Sequence, residues 1–263
     1  MLQSWYFDWT TFWILGGLVL WEGVRRVPAG AVVLRHAAGY AWQVAGGPHP
    51  PGWRLVSWLS PLVTHLVLVP GPDAGRTPPK RLGTWMMVLR LPAAVALVAL
   101  IVGVPLLTAN GGFGGLLRAL ALAFGASTAA ALVSAVGLWR MGIAPRTAIA
   151  DALPLLSPFA APRAPEVVLA RALEGVAFTG VLRALLGPEA YAEWARPVAY
   201  DGARGRADAG ALLPAGEAAA VLGRPPAGTL AGDVYCARCG RVYLPAAAAC
   251  RACEGAELVR VAE

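Results

Sequence analysis

Leu91-Pro-Ala-Ala-Val-Ala-Leu-Val-Ala-Leu-Ile-Val-Gly-Val-Pro-Leu-Leu-Thr-Ala109 carries no charge, and Leu116 to Trp139 carries one, Arg118, near its start. Between them stands Asn110-Gly111-Gly112-Phe113-Gly114-Gly115. A hydrocarbon core of about 30 Å takes roughly 20 apolar residues in a helix, and both runs meet that length. A Gly-rich link this short returns the chain to the same membrane surface. Thr84 to Arg140 is therefore predicted to be a transmembrane helical hairpin. Paired buried helices of a soluble protein rank well below it, because such folds rarely carry uncharged runs this long.

Composition agrees. Hydrophobic residues make up 57% and charged residues 14% of the chain, against about 25% charged in soluble domains. The net charge of +7 is unevenly placed. Arg25 to Gly83 holds seven basic residues and one acidic (+6), whereas Arg140 to the end holds thirteen basic and twelve acidic (+1). Positive charge concentrated between apolar segments is a topology signal before it is a nucleic-acid signal.

A further apolar segment lies near Trp5 to Trp21, with Trp5, Tyr6 and Trp9 at one end and Trp21 at the other, as an aromatic belt places them. It has no basic start and no small-residue cleavage site, so an uncleaved helix is preferred to a signal peptide. Arg25 and Arg26 then place the following loop in the cytoplasm. The N-terminus is expected outside, the Gly-rich link outside, and the chain after Arg140 and Arg146 inside. Arg90 and Arg118 read as interfacial anchors. Ala96, Ala99 and Gly103, with Gly125, Ala129 and the Ala126, Ala130, Ser134 row, suit close packing within the hairpin; homo-oligomerisation is the second use.

The loop has strand-like runs at Ala31 to Arg35, Tyr40 to Val44, Trp53 to Trp58 and Thr64 to Val69, with turn signals at Gly39, Gly46-Gly47-Pro48 and Pro50-Pro51-Gly52. A small antiparallel meander is expected. Val32-Val-Leu-Arg35, Gly39, then Pro51-Gly-Trp-Arg-Leu55 before Leu59-Ser-Pro61 resembles the opening strands of the stomatin/prohibitin family over about forty residues. The rest of that domain has no counterpart before the next helix, so the resemblance implies no function. Ala164 to Leu186 is predicted as one amphipathic helix that packs on the protein, and Glu189 to Arg196 as a short one ending at Pro197. Asp201 to Gly232, rich in Gly, Ala, Pro and Arg, reads as an extended tether with a helical turn at Glu217 to Leu222.

All four cysteines fall near the end: Cys236-Ala-Arg-Cys239 and Cys250-Arg-Ala-Cys253. Two C-x2-C knuckles close a tetrahedron of thiolates around one metal, with sulfur at about 2.3 Å. The segment is too small to bury a core, so the metal would supply most of its folding free energy. Gly240 suits the positive φ that turns backbone N–H groups towards sulfur. The segment resembles the zinc-ribbon family over its full length, departing where Glu254 stands in the second knuckle's usual Gly position. That resemblance implies a structural Zn2+ on Cys236, Cys239, Cys250 and Cys253. Cys239-Gly-Arg-Val-Tyr243 also resembles the rubredoxin first knuckle, which implies iron as the alternative; the second knuckle lacks that family's Cys-Pro. Two disulfides come third, being disfavoured on a reducing side.

Other chemistry finds no support. His36, His49 and His65 lack nearby carboxylates, Glu189 and Glu193 read as a solvated pair, and no nucleophile, phosphate-loop or zinc-protease motif occurs. The expectation is not an enzyme but a mostly α membrane protein. It has three transmembrane helices, a small antiparallel β loop domain and a C-terminal zinc ribbon. The segments are helix 1 (5–24), a cytoplasmic β-rich loop and linker (25–83), the hairpin (84–140), a cytoplasmic amphipathic region (141–200), a flexible tether (201–232) and the ribbon (233–263). The function expected is a bacterial inner-membrane scaffold whose cytoplasmic ribbon docks a protein partner. A membrane-anchored electron carrier with a four-sulfur iron site is the alternative. Nucleic acid is not an expected partner, since the ribbon has no basic patch.

Overall fold

The computed structural model describes residues 9–37, 41–47, 52–55, 62–71, 75–205, 212–226, 228–253 and 256–261. The protein is mostly helical, with small antiparallel sheets. Its axis is the run Leu82–Arg140, the one stretch among the described residues long and apolar enough to cross a membrane. Helix α2 (Leu82–Val98) passes through a π-helical turn at Ala99–Gly103 into α3 (Val104–Arg140). The predicted reversal is there, but not as a six-residue loop. Helical hydrogen bonding continues on both sides of a single break at Gly112, where φ is 54° and ψ is −137°.

Two contacts prove that the halves run antiparallel. A Cβ on Gly115 would sit 1.9 Å from the Leu107 carbonyl oxygen, and one on Gly137 would sit 3.1 Å from the Trp85 ring. An unbroken helix of this length would hold Trp85 and Gly137 about 78 Å apart at about 1.5 Å per residue. Small residues line the seam: Ala96, Ala126 and Ala130 are buried, which lets the backbones approach.

Helix α1 is described over Trp9–Gly23, 15 residues. That is about 22 Å of helix, short of the roughly 30 Å core. The expectation of three full spans is therefore not met by the described residues; Trp5 and Tyr6 lie outside them. No linker follows α1. The chain enters β1 (Val24–Val27) directly, so Arg25 and Arg26, read as a topology signal, also form a strand.

The loop domain is two sheets rather than one meander. β1 pairs with β4 (Gly52–Leu55), while β2 (Val32–Ala37) lies between β3 (Gln43–Gly46) and β5 (Val63–Leu68). Alternation places Val32, Leu34, Leu66 and Leu68 on the face that packs with Leu82 and Met86 of α2. The same face continues to His36, whose Nδ1 is 2.6 Å from the next residue of that helical stripe, Arg90.

After Arg140, a turn with Gly142 at φ 88° folds the chain back. Helix α4 (Pro145–Ala152) and a 3-10 turn (Leu153–Leu156) lie along α3. Phe159 packs on Ala99, Leu100 and Ala123, well up the hairpin. A second 3-10 turn (Ala161–Arg163) and α5 (Ala164–Ala172) return along α2. Arg171 joins the two arms through Asp151, with one N···O distance of 2.8 Å.

The single helix expected over Ala164 to Leu186 is two. Gly175, at φ 74°, separates α5 from α6 (Phe178–Leu186). Their apolar faces are buried as expected, including Val168, Leu169, Ala172 and Leu182. Pro197 does not end the next helix; α7 runs Pro188–Ala203 with Pro197 inside it. The 201–232 stretch is not an extended tether in its described part. Leu212 and Leu213 are buried, and α8 (Ala215–Gly223) packs along α7. The Tyr191 hydroxyl donates to Glu217 at 2.7 Å, and Arg183 pairs with the same carboxylate.

Candidate metal centre

The ribbon is a three-stranded antiparallel sheet in which β6 (Val234–Cys236) lies between β7 (Val242–Tyr243) and β8 (Leu258–Arg260). The first knuckle forms where β6 ends. Gly240 N–H donates to the Cys236 carbonyl at 2.9 Å, and Cys236 N–H donates to the Arg241 carbonyl at 3.0 Å. Gly240 has the expected positive φ, 71°. The second knuckle closes with Ala256 N–H donating to the Cys253 carbonyl at 3.0 Å. Glu254 and Gly255, where the sequence departs from the ribbon pattern, lie outside the described residues.

All four predicted ligands come together. The sulfurs of Cys236, Cys239, Cys250 and Cys253 lie within 4.8 Å of one another, and Cys239 Sγ to Cys250 Sγ is 3.7 Å. A tetrahedron with metal–sulfur bonds of about 2.3 Å has edges of about 3.8 Å. A disulfide needs about 2.05 Å, and the four thiols are unbridged. The cluster fits one metal ion with four sulfur ligands, a set that zinc and iron share. Cys236, Cys250 and Cys253 are buried, so the cage is closed to a further ligand from most directions.

Backbone N–H groups and burial act on the sulfurs in opposite directions. Backbone N–H groups of Arg238 and Cys239 point at Cys236, that of Arg241 at Cys239 and that of Ala252 at Cys250. Burial pushes the Cys236, Cys239 and Cys253 thiols up. Burial acts the same way on Cys250, but hydrogen bonds from the Tyr243 hydroxyl, Ala252 N–H and neighbouring thiols outweigh it and bring that group to about 6. Tyr243 Oη is 3.1 Å from Cys250 Sγ. Arg238 reaches Cys253 and is itself held by Asp201 at 3.0 Å. It sets a positive charge beside Cys253.

Residues the sequence did not single out fix the ribbon in place. Arg196 of α7 is buried, with its guanidinium 5.3 Å from the Tyr235 ring centroid. It donates to the Arg224 carbonyl and packs on Gly240, where a Cβ would meet its side chain at 3.3 Å. One turn on, Tyr200 lies in the ribbon's apolar cluster and accepts from Glu257 N–H at 3.4 Å. The available signal was the i, i+4 spacing of Arg196 and Tyr200, which puts both on one helix face.

Among the described residues the histidines form no second centre. His36 faces Arg90, while His65 pairs across from Arg35 on the opposite face of the same two strands; His49 lies outside the described residues. Glu189 and Glu193 stay exposed. Among the described residues the four cysteines are the only group of three or more His, Cys, Asp or Glu able to share an ion. Comparison of the chain with protein-family models, curated proteins and solved structures gives no match.

Proposed function

We propose that this is a multi-pass protein of a bacterial inner membrane, anchored by the Leu82–Arg140 hairpin with α1 beside it. Its N-terminus faces outside and its C-terminal ribbon faces the cytoplasm. In this reading the ribbon holds a structural zinc ion and presents a docking surface to a protein partner. The protein is a scaffold and not an enzyme.

The observation that carries the reading is the ribbon's setting. One face is clamped to α7 by Arg196, Tyr200 and Asp201. The β7 end stays bare: Leu244 is 80% exposed and Val242 43%. Exposed aliphatic side chains on a rigid, metal-set edge suit protein contact better than chemistry. Arg238 is engaged by Asp201, which leaves less free positive charge for nucleic acid.

Two measurements on purified full-length protein test it. Metal analysis should give one zinc per chain and no visible charge-transfer band; one iron with such a band would replace the scaffold by an electron carrier. A photo-crosslinking residue at Leu244 should then yield one discrete protein adduct in membranes, absent when the probe sits at exposed Arg204 instead. Equal labelling from both positions would reject the docking surface.

A further inference from the structure

Leu153-Pro-Leu-Leu-Ser-Pro-Phe-Ala-Ala-Pro162 is an uncharged run between Asp151 and Arg163. It is too short to cross a bilayer, and apolar stretches of this length suit re-entrant or interfacial segments. We propose that α4, the two 3-10 turns and α5 form a re-entrant loop whose tip, Leu153 to Phe159, is embedded in lipid acyl chains. The proposal rests on the membrane reading of the hairpin.

Depth is the first support. Phe159 packs on Ala99, Leu100 and Ala123. Leu100 lies ten residues past Arg90 and ten before Asn110, about 15 Å from each at about 1.5 Å per residue. Arg90 and the Gly-rich turn bracket the uncharged part of the hairpin. Phe159 therefore sits near the middle of that band, not at its edge.

Surface chemistry is the second. Leu155 is buried against the hairpin, while Leu153 (56% exposed), Leu156 (41%) and Ile149 (55%) point away from it. Leu122 and Leu132 on α3 are likewise exposed, at 55% and 62%. Aliphatic side chains on both faces of a turn, one inward and one outward, match a segment between protein and lipid.

Backbone accounting is the third. Irregular backbone survives at membrane depth only when its polar groups are satisfied within the protein. Pro154, Pro158 and Pro162 have no N–H to satisfy. Ser157 N–H donates to Pro154 O, Ala160 and Ala161 N–H donate to Ser157 O, and Arg163 N–H donates to Ala160 O, at 2.9 to 3.2 Å, which leaves Phe159 N–H as the one donor of these turn residues with no backbone acceptor among the described residues. The charges at its margins are paired as lipid requires: Arg163 with Glu22 at 3.5 Å, and Asp151 with Arg171.

The test keeps the four cysteines intact. A nitroxide is attached through a single ketone-bearing unnatural residue at Leu156, Ile149, Leu122 or Leu244 of the full chain, reconstituted in phosphatidylcholine and phosphatidylglycerol vesicles. Collision rates with oxygen and with a water-soluble nickel chelate are compared. The oxygen-to-nickel ratio at Leu156 should match that at Leu122, exceed that at Ile149, and stand several-fold above that at Leu244. A water-like ratio at Leu156 with a lipid-like ratio at Leu122 overturns the re-entrant loop and leaves the membrane reading standing. A water-like ratio at Leu122 overturns both. Poor access of both reagents at Leu156 means that protein covers it, and also overturns the proposal.

Discussion

The hairpin and the ribbon are held together by opposite routes. In the hairpin, Ala96, Ala126, Ala130 and Gly115 bring two backbones together, so cohesion is spread over many weak contacts. In the ribbon, four sulfurs within 4.8 Å concentrate it at one point. Distributed cohesion tolerates most single changes and fails only where space is absent. Concentrated cohesion fails at any of four residues.

The largest effect should follow metal removal. A chelator, or Cys236→Ser, should release the 234–260 segment and cost about 10 kcal/mol of ribbon stability, the scale of structural zinc sites. Amide exchange should become fast there while Leu82–Arg140 stays protected. Loss of protection in both would mean that the hairpin depends on the ion. Next in size is Gly115→Leu. Its Cβ would fall 1.9 Å from the Leu107 carbonyl oxygen, so backbone must move, at a cost of about 3 kcal/mol. Gly125→Leu, which meets nothing within 4 Å, should be near neutral, and steric-trap or denaturant unfolding in micelles compares the two. Equal effects would erase the contrast between open and closed points of the seam.

The smallest effect concerns pH in the loop domain. Burial, then the facing Arg35, lowers His65 below the ordinary histidine value. The unfolded chain therefore binds the proton more readily, and stability falls as pH drops below about 6.5. His65 is half-buried, so the loss should stay under about 1 kcal/mol. His65→Gln should flatten the dependence between pH 7.5 and 5.5, read by thermal unfolding. An unchanged slope would assign it to another group.

Much of this was legible in residue types. Uncharged length and six residues rich in glycine predict the hairpin, and cysteine spacing predicts the ligand set, because each depends on local sequence alone. Gly175 was harder: the apolar period of α5 continues across it into α6, so the break is invisible to periodicity. Pro197 misled in the other direction, since α7 tolerates the missing N–H. Arg196 reads as a surface charge, and only tertiary structure makes it a buried clamp. Pro154, Pro158 and Pro162 look like simple helix breakers until the segment between them is set beside Ala99 and Ala123.

The clamp on α7 has a consequence for reach. A ribbon on a free linker of about thirty residues would sweep a sphere with a typical radius of about 30 Å, and would find a binder at any angle. Held by Arg196 and Tyr200, it has one bearing and one standoff from the apolar helices. In the docking role proposed above, a partner must arrive already oriented, so selectivity would come from geometry as well as from contact chemistry.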